Sequence, residues 1–106
     1  MLYKIKSIKH SGTCGERGTE RTDGIYPLRI DRIVELNIDD IKIRYPLVIR
    51  YIRDSDGTPM KFSFFKTSDV KNVKSYFVTD DLEGIVKYII IETENSIFEF
   101  VRVDDE

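Results

Sequence analysis

The sequence predicts an all-β fold: a small single-domain antiparallel barrel, or else a two-sheet sandwich, of about six or seven strands. Two observations carry this prediction. Apolar residues recur at every second position in several segments, and clusters of turn-forming residues separate those segments. A chain of 106 residues with 41% apolar and 34% charged residues is typical of one globular domain with one core. We therefore expect residues 1–106 to form a single domain.

The clearest alternation runs through residues 41–65 and predicts a β-hairpin, with a run of turn formers at its centre. In this hairpin the rings of Tyr45 and Phe62 are expected to point into the core. Pro46 has no N–H group to donate, so we expect it at a bulge or on an unpaired edge. The positions predicted to face inward are Ile41, Ile43, Tyr45, Leu47, Ile49, Tyr51, Met60, Phe62 and Phe64.

The N-terminal third predicts a strand, a loop and a second strand. Residues 2–10 alternate until Ile8, which indicates a bulge. Residues 11–24 hold four of the six glycines and no aliphatic side chain, so they predict an exposed loop. Residues 28–38 favour a strand because they are rich in β-branched side chains, although a helix beginning at Pro27 is the rival interpretation.

The region after the central hairpin predicts a short connection and another strand. Residues 67–69 have the composition of a helix cap and could begin a short helical turn. Residues 73–78 alternate and predict a strand, and residues 79–84 predict a turn.

Residues 85–93 and 96–103 predict the final hairpin, closed by a two-residue loop that would set Ile91 opposite Phe98. Residues 104–106 predict a charged, frayed end. The second face of this hairpin is also apolar, and two interpretations stay open: another part of the chain covers it, or it is an exposed interaction surface. That face carries Val86, Tyr88, Ile90, Ile97, Val101 and Val103.

No residue pattern indicates catalysis or a cofactor. His10 and Cys14 are the only histidine and the only cysteine, and they could form an activated thiolate, but no recognisable motif surrounds them. Structural zinc needs four Cys or His ligands, and the chain has only one of each. The loop that begins at Asp54 departs from the pattern of a calcium-binding loop. The glycine-rich loop lacks the Gly-Lys-Ser/Thr of a phosphate-binding loop. We therefore expect no enzyme, no metal and no cofactor, and no small-molecule ligand can be inferred.

Nucleic-acid binding is the main alternative function. Lys42, Arg44 and Arg50 could share one outer face, as in small barrels that bind single strands. Two observations count against it: the net charge is −2, and the aromatic residues are predicted to lie in the core. Nucleic acid is therefore the less expected partner.

A non-catalytic interaction or accessory module, which binds a protein partner or itself, is the favoured function. Arg17 and Arg21 lie in the long loop and could grip a partner carboxylate, although nearby acidic residues could neutralise them. The residues predicted to contact a partner are Tyr88, Ile90, Ile97, Val101, Arg17 and Arg21.

Cysteine usage and hydropathy predict a cytoplasmic protein. A single cysteine cannot form an internal disulfide and suits a reducing compartment. No apolar run follows the first charged residues, and none approaches the ~20 residues of a membrane helix. Charge is unevenly divided: residues 1–53 hold eleven basic and seven acidic residues (net +4), and residues 54–106 hold six and twelve (net −6). This asymmetry indicates either a mixed surface or a field that steers a partner.

Overall fold

The computed structural model describes residues 1–13, 15–82 and 84–103, and in them six antiparallel strands close into a barrel. Each strand pairs with the next along the chain, and the last pairs with the first, so the sheet has no crossover. This architecture confirms the all-β barrel prediction. The strands are β1 (Leu2–His10), β2 (Ile33–Glu35), β3 (Pro46–Arg53), β4 (Phe64–Asp80), β5 (Gly84–Thr93) and β6 (Ser96–Arg102), with a helical turn α1 (Tyr26–Arg29) and a 3-10 turn (Ile38–Asp40).

The barrel interior is filled by apolar side chains from all six strands. Period-two alternation explains this arrangement, because every second residue of a barrel strand points inward. An aromatic row crosses the interior: the ring centroids of Tyr51 and Phe65 are 5.2 Å apart, and those of Phe65 and Phe98 are 5.8 Å apart. The buried core consists of Tyr3, Ile5, Ile8, Val34, Leu36, Leu47, Ile49, Tyr51, Phe65, Val70, Ile89, Ile91, Phe98 and Phe100.

Three local predictions are confirmed. The final hairpin turns through two residues, and its register sets Ile91 opposite Phe98. The bulge in β1 is present, although it lies between Ile5 and Ser7. Pro46 begins β3 at a shift in register, as expected for a residue without an N–H group.

The prediction for residues 41–65 is wrong at both ends of the hairpin. Leu47, Ile49 and Tyr51 point inward as expected, but Tyr45 is 63% exposed and Phe62 is 96% exposed. The physical reason is that turns interrupt the alternation. Arg44 and Phe62 both have positive φ angles, 77° and 60°, so the chain direction changes beside each ring. After the second turn Phe65 takes the inward position, and Ile43 and Phe64 are exposed as well.

Two further expectations are corrected. Only Ile33–Glu35 of the strand predicted over residues 28–38 is a strand, because the chain first makes the α1 turn, with Pro27 in its opening positions. Residues 67–69 form no helical turn, because they lie inside the continuous strand β4. The described helical segments are single turns, and none is long or apolar enough to cross a membrane.

β4 and β5 extend beyond their neighbours as a two-stranded hairpin. The last β5–β6 pair is Tyr88 with Val101, and β3 pairs with β4 only as far as Asp69. Residues 76–80 and 84–87 therefore pair with each other but with no third strand, and we call them, together with residues 81–82 of the connecting turn, the arm. Every residue of β4 from Lys74 to Asp80 is exposed. The predicted turn over residues 79–84 lies at the tip of the arm, where Glu83 is outside the described residues, as is the predicted frayed end at residues 104–106.

Candidate interaction surfaces

The predicted apolar partner surface lies on the outer faces of β5 and β6, and it is half-buried. Tyr88 stacks on Tyr76 of the neighbouring strand with ring centroids 5.2 Å apart and planes 6° apart. The ammonium of Lys6 lies 4.8 Å from the centre of the Tyr88 ring. Side chains of β1 and β4 thus cover part of this face. The side chains of Ile90, Ile97 and Val101 are also partly buried, so they are neither fully covered nor fully exposed to solvent.

The structure places Arg17 and Arg21 in contacts within the chain. Arg17 makes a two-pronged ion pair with Glu92, with N–O distances of 2.5 and 2.9 Å. This hydrogen-bonded pairing lowers the pKa of the Glu92 carboxyl. The contact ties the long loop to the barrel wall.

Arg21 is buried. The sequence did not predict this burial, because Arg21 lies in a loop that has no aliphatic side chains. Its guanidinium donates to Asp23 at 2.7 Å and to the hydroxyl of Ser96 at 2.8 Å, and it lies 3.9 Å from the centre of the Tyr26 ring. The hydrogen bond from Arg21 lowers the pKa of Asp23. The guanidinium therefore fastens the loop to the start of β6.

The Cys–His candidate cannot be assembled from the structure, because Cys14 lies outside the described residues. His10 is mostly buried at the end of β1, and its Nε2 lies 4.0 Å from a carboxylate oxygen of Asp23. Gly15 packs against the imidazole so closely that a Cβ atom there would lie 2.8 Å from the ring. Over the described ranges, no three His, Cys, Asp or Glu side chains converge as metal ligands.

The predicted nucleic-acid residues lie on a basic surface that also carries aromatic rings. Lys42, Arg44 and Arg50 are all exposed. Residues 41–53 and 59–68 together hold six basic residues and no acidic residue. The register sets Arg50 opposite Phe64.

The outer side of β3 and β4 forms one continuous patch, which we call the basic face. Successive outward positions place Val48 beside Arg50 and Phe64 beside Lys66, and all four side chains are exposed. The exposed rings of Tyr45 and Phe62 lie in the turns that lead into these strands. The sequence predicted these rings to lie in the core, so it did not reveal the aromatic part of the basic face. The positive φ angles of Arg44 and Phe62 change the chain direction there, and they leave no trace in the period-two pattern of the sequence.

The arm is the second surface that sequence reasoning missed. Phe77, Leu82 and Ile85 are among its most exposed apolar residues, and Leu82 is 96% exposed. The available signal was that residues 77–78 and 85–86 are apolar on both faces of a hairpin, a pattern that one buried face does not require.

The outer edge of β4 is open along the arm. The last backbone contacts on that edge join Val70 to Arg44 and Tyr45, with N–O distances of 2.7 and 3.0 Å. Beyond Val70, the described residues supply no strand or loop whose backbone pairs with this edge. The backbone groups of residues 71–79 that point away from β5 therefore present a row of donors and acceptors to solvent.

Comparison with known proteins adds no relationship: no family model, no curated protein and no solved structure matches this chain.

Proposed function

We propose that this protein is a non-catalytic interaction module that associates with a second copy of itself through the outer edge of β4. The observation that supports it most strongly is the open edge of residues 71–79, which has no proline and only one shift in register, at its first residues. Natural proteins protect long edge strands, because an open edge is a template for another strand. An open, regular edge flanked by exposed apolar side chains is therefore a surface for strand addition.

Charge favours a second copy as the partner. Lys71 and Lys74 lie at one end of the edge, and Asp80 and Asp81 lie at the other. Antiparallel pairing of two copies about Tyr76 sets each Lys71 opposite Asp81 of the partner subunit, with Lys74 diagonal to Asp80 of the partner subunit. Parallel pairing would set like charges together. The strand is thus complementary to its own antiparallel copy, which is what a two-fold symmetric interface requires.

The pairing would also satisfy the apolar side chains of the arm. A two-stranded hairpin alone is only marginally stable in water, because it has too little apolar surface to bury. Two arms joined edge to edge form a four-stranded sheet, in which Phe77 gains neighbours from the other copy. The association therefore stabilises the part of the fold that the barrel supports least.

The test uses two oppositely charged variants. One carries Lys71→Glu and Lys74→Glu, and the other carries Asp80→Lys and Asp81→Lys. Each alone sets like charges across the interface, and we expect its dimer to weaken by at least about 30-fold, since reversing each of the two directly opposed pairs between positions 71 and 81 costs about 1 kcal/mol. An equimolar mixture restores opposite charges at every contact, so we expect sedimentation velocity to show a mixed dimer.

The rescue separates a lost interface from a lost fold, because an unfolded variant would not dimerise in the mixture. A matched control is Arg50→Glu, which reverses an exposed charge opposite Phe64 at the other end of β4 and should leave the dimer unchanged. The proposal fails if the unchanged protein sediments as a monomer up to about 1 mM, a concentration that would detect even a very weak interaction. It also fails if the mixture stays monomeric.

A second candidate function is binding of single-stranded nucleic acid on the basic face. Its supporting observation is the exposure of Tyr45, Phe62 and Phe64 beside Arg50 and Lys66. Bases stack on exposed rings, and neighbouring cations follow the phosphate backbone. The outward position of these three rings weakens the argument that the aromatic residues all lie in the core, although Tyr51, Phe98 and Phe100 are buried as predicted.

The test of this candidate is a fluorescence-anisotropy titration with mixed-sequence single-stranded oligonucleotides at several salt concentrations. We expect log K to fall linearly with log salt, and Phe64→Ala to weaken binding by about tenfold, the effect of losing one stacked base. Leu82→Ala on the arm is the control and should bind normally. Absence of binding at low salt removes this candidate and leaves the self-association proposal untouched.

A cytoplasmic location accompanies both functions as a proposal. It is supported by the single cysteine, which suits a reducing compartment.

A further inference from the structure

A small pocket of about 160 Å³ opens at the end of the barrel beside α1. Its walls come from α1, the first residues of β4 and the loop between β5 and β6, and its lining includes the rings of Phe65 and Phe98. Two cations, Arg29 and Lys66, line it, and no acidic residue is among the described lining residues. Small-molecule sites usually exceed ~300 Å³, so this volume suits a small ion or the head group of a larger ligand.

Arg29 is a cation without an anion. Its guanidinium carbon lies 4.8 Å from the ring centres of both Tyr26 and Phe65, so the two rings hold it in place. Its Nε atom is buried and has no hydrogen-bond partner. Among the described residues, no carboxylate lies within ion-pair distance of it, whereas Arg17, Arg21 and Arg32 each have one.

Uncommitted donors surround the same pocket. The hydroxyl oxygen of Ser68 accepts the backbone N–H of Asn95 at 3.2 Å, which leaves the Ser68 O–H free to donate. The side-chain oxygen of Asn95 and the backbone oxygen of Glu94 share the hydroxyl proton of Thr13, at 3.0 and 3.1 Å, and neither contact uses the amide N–H groups of Asn95. The guanidinium of Arg29, the hydroxyl of Ser68 and the amide of Asn95 thus line one pocket, and no acidic residue is among its described lining residues.

We propose that this pocket binds a small oxyanion of the phosphate class, either free phosphate or the terminal phosphate group of a larger ligand. Phosphate offers acceptor oxygens in several directions, which suits donors that come from different elements, and its charge matches a guanidinium held by aromatic rings. A carboxylate has fewer acceptor sites to satisfy the same donors. The site is independent of the arm, so it stands or falls separately from self-association.

Hydroxyl groups beside the site hold its walls and do not compete for the ligand. The Thr67 hydroxyl donates to the backbone oxygen of Ser68 at 2.7 Å, and the Thr93 hydroxyl donates to the backbone oxygen of Ser96 at 3.2 Å. Both contacts fix the backbone on which the free donors stand. The pocket is therefore formed before any ligand arrives.

The test is a titration of the full chain with inorganic phosphate at constant ionic strength, followed by the amide NMR signals of residues 66–68 and 95–96. We expect saturable shifts that sodium chloride does not produce and that acetate produces only weakly. Arg29→Gln should weaken phosphate binding by about tenfold or more, because a charge-assisted hydrogen-bond donor is lost. Arg50→Gln, an exposed cation on the outer wall, is the control and should bind normally.

Two additions keep the result decisive. Ser68→Ala removes a free donor and leaves the aromatic contacts of Arg29 in place, so it serves if Arg29→Gln does not fold; we expect it to weaken phosphate binding as well. A parallel titration with a mononucleotide separates the two sources of phosphate. Tighter binding of the mononucleotide than of phosphate indicates a site for the phosphate group of a larger ligand, and equal binding indicates a site for the free ion. Shifts that chloride reproduces, or that Arg29→Gln and Ser68→Ala leave unchanged, would overturn the proposal.

Discussion

The closed barrel and the arm are built from the same two strands, yet they differ in everything that burial provides. Ile89 and Ile85 lie on one face of β5, four residues apart; Ile89 is 0% exposed and Ile85 is 72% exposed. From Tyr88 to Thr93 the strand contributes to the filled interior of the barrel, whereas in the arm it pairs with one strand only and the face that carries Ile85 is exposed. An apolar side chain is therefore part of a core only where the sheet closes around it.

The largest expected effect compares these two isoleucines. Ile89→Ala should lower the free energy of unfolding by about 2–5 kcal/mol, because it leaves a cavity in a packed core. Ile85→Ala should change it by less than about 0.5 kcal/mol, as usual for exposed positions. Urea denaturation followed by circular dichroism measures both. Equal losses at the two positions would mean that the arm is packed in solution, and the comparison would break.

The second effect concerns the association of two copies and should not change the free energy of unfolding. Phe77→Ser with Leu82→Ser removes two exposed apolar side chains from the arm. We expect the midpoint of urea denaturation to stay within error at low protein concentration, while the dimer weakens by about tenfold. Sedimentation equilibrium is the measurement. Val48→Ser, an exposed apolar residue on the opposite hairpin, is the matched control, and a dimer weakened equally by both changes would detach the interface from the arm.

The third effect tests the junction at which the arm leaves the barrel. The Tyr76 hydroxyl donates to Glu99 of β6 at 2.8 Å. Loss of surrounding water, together with this hydrogen bond, raises the pKa of Tyr76 to about 12. The folded state therefore keeps this proton more tightly than the unfolded state, whose tyrosine pKa is about 10, so stability should fall as pH rises from about 10 to about 12.

Phenolate absorbance gives the measurement for Tyr76. Burial also raises the pKa of Tyr51, so we expect the late-titrating absorbance of the folded protein to fall by one tyrosine in Tyr76→Phe, together with a smaller loss of stability at alkaline pH. Tyr45→Phe, at an exposed ring outside the junction, should leave the late titration in place. If Tyr76→Phe leaves it too, the hydroxyl does not anchor the arm in solution.

The smallest effect concerns the long loop, residues 11–24. Unlike the arm, this loop is held against the barrel by an ion pair, between Arg17 and Glu92. The hydrogen bond from Arg17 lowers the pKa of Glu92. This pairing contributes stability that is present above the unfolded glutamate pKa of about 4.3 and is lost as pH falls through the lower folded value. Glu92→Gln should reduce this acid dependence, by less than about 1 kcal/mol because the pair is partly exposed. Acid denaturation of both forms provides the test, and identical acid curves would show that the loop is held by other contacts.

The sequence was informative wherever alternation continued through a strand that the barrel pairs on both sides. It predicted the register of the final hairpin, because a two-residue loop allows one pairing and the inward face is then fixed. It misplaced Tyr45, Phe62 and Phe64, because a single residue in a left-handed conformation resets which face is inward. It also missed Arg29 as a candidate ligand-binding residue, since an arginine in a predicted strand gives no sign that a ring of its own helical turn and a ring of β4 will hold it.

Composition and period-two spacing by themselves determined that this chain forms a small all-β fold with an apolar interior, because alternation directs side chains to opposite faces whatever the strands later meet. The tertiary structure alone decided where the sheet closes, which isoleucine is core and which is surface, and which cations find a carboxylate. These outcomes depend on strand lengths relative to neighbours and on contacts between residues far apart in sequence. Those contacts leave no periodic trace in the chain.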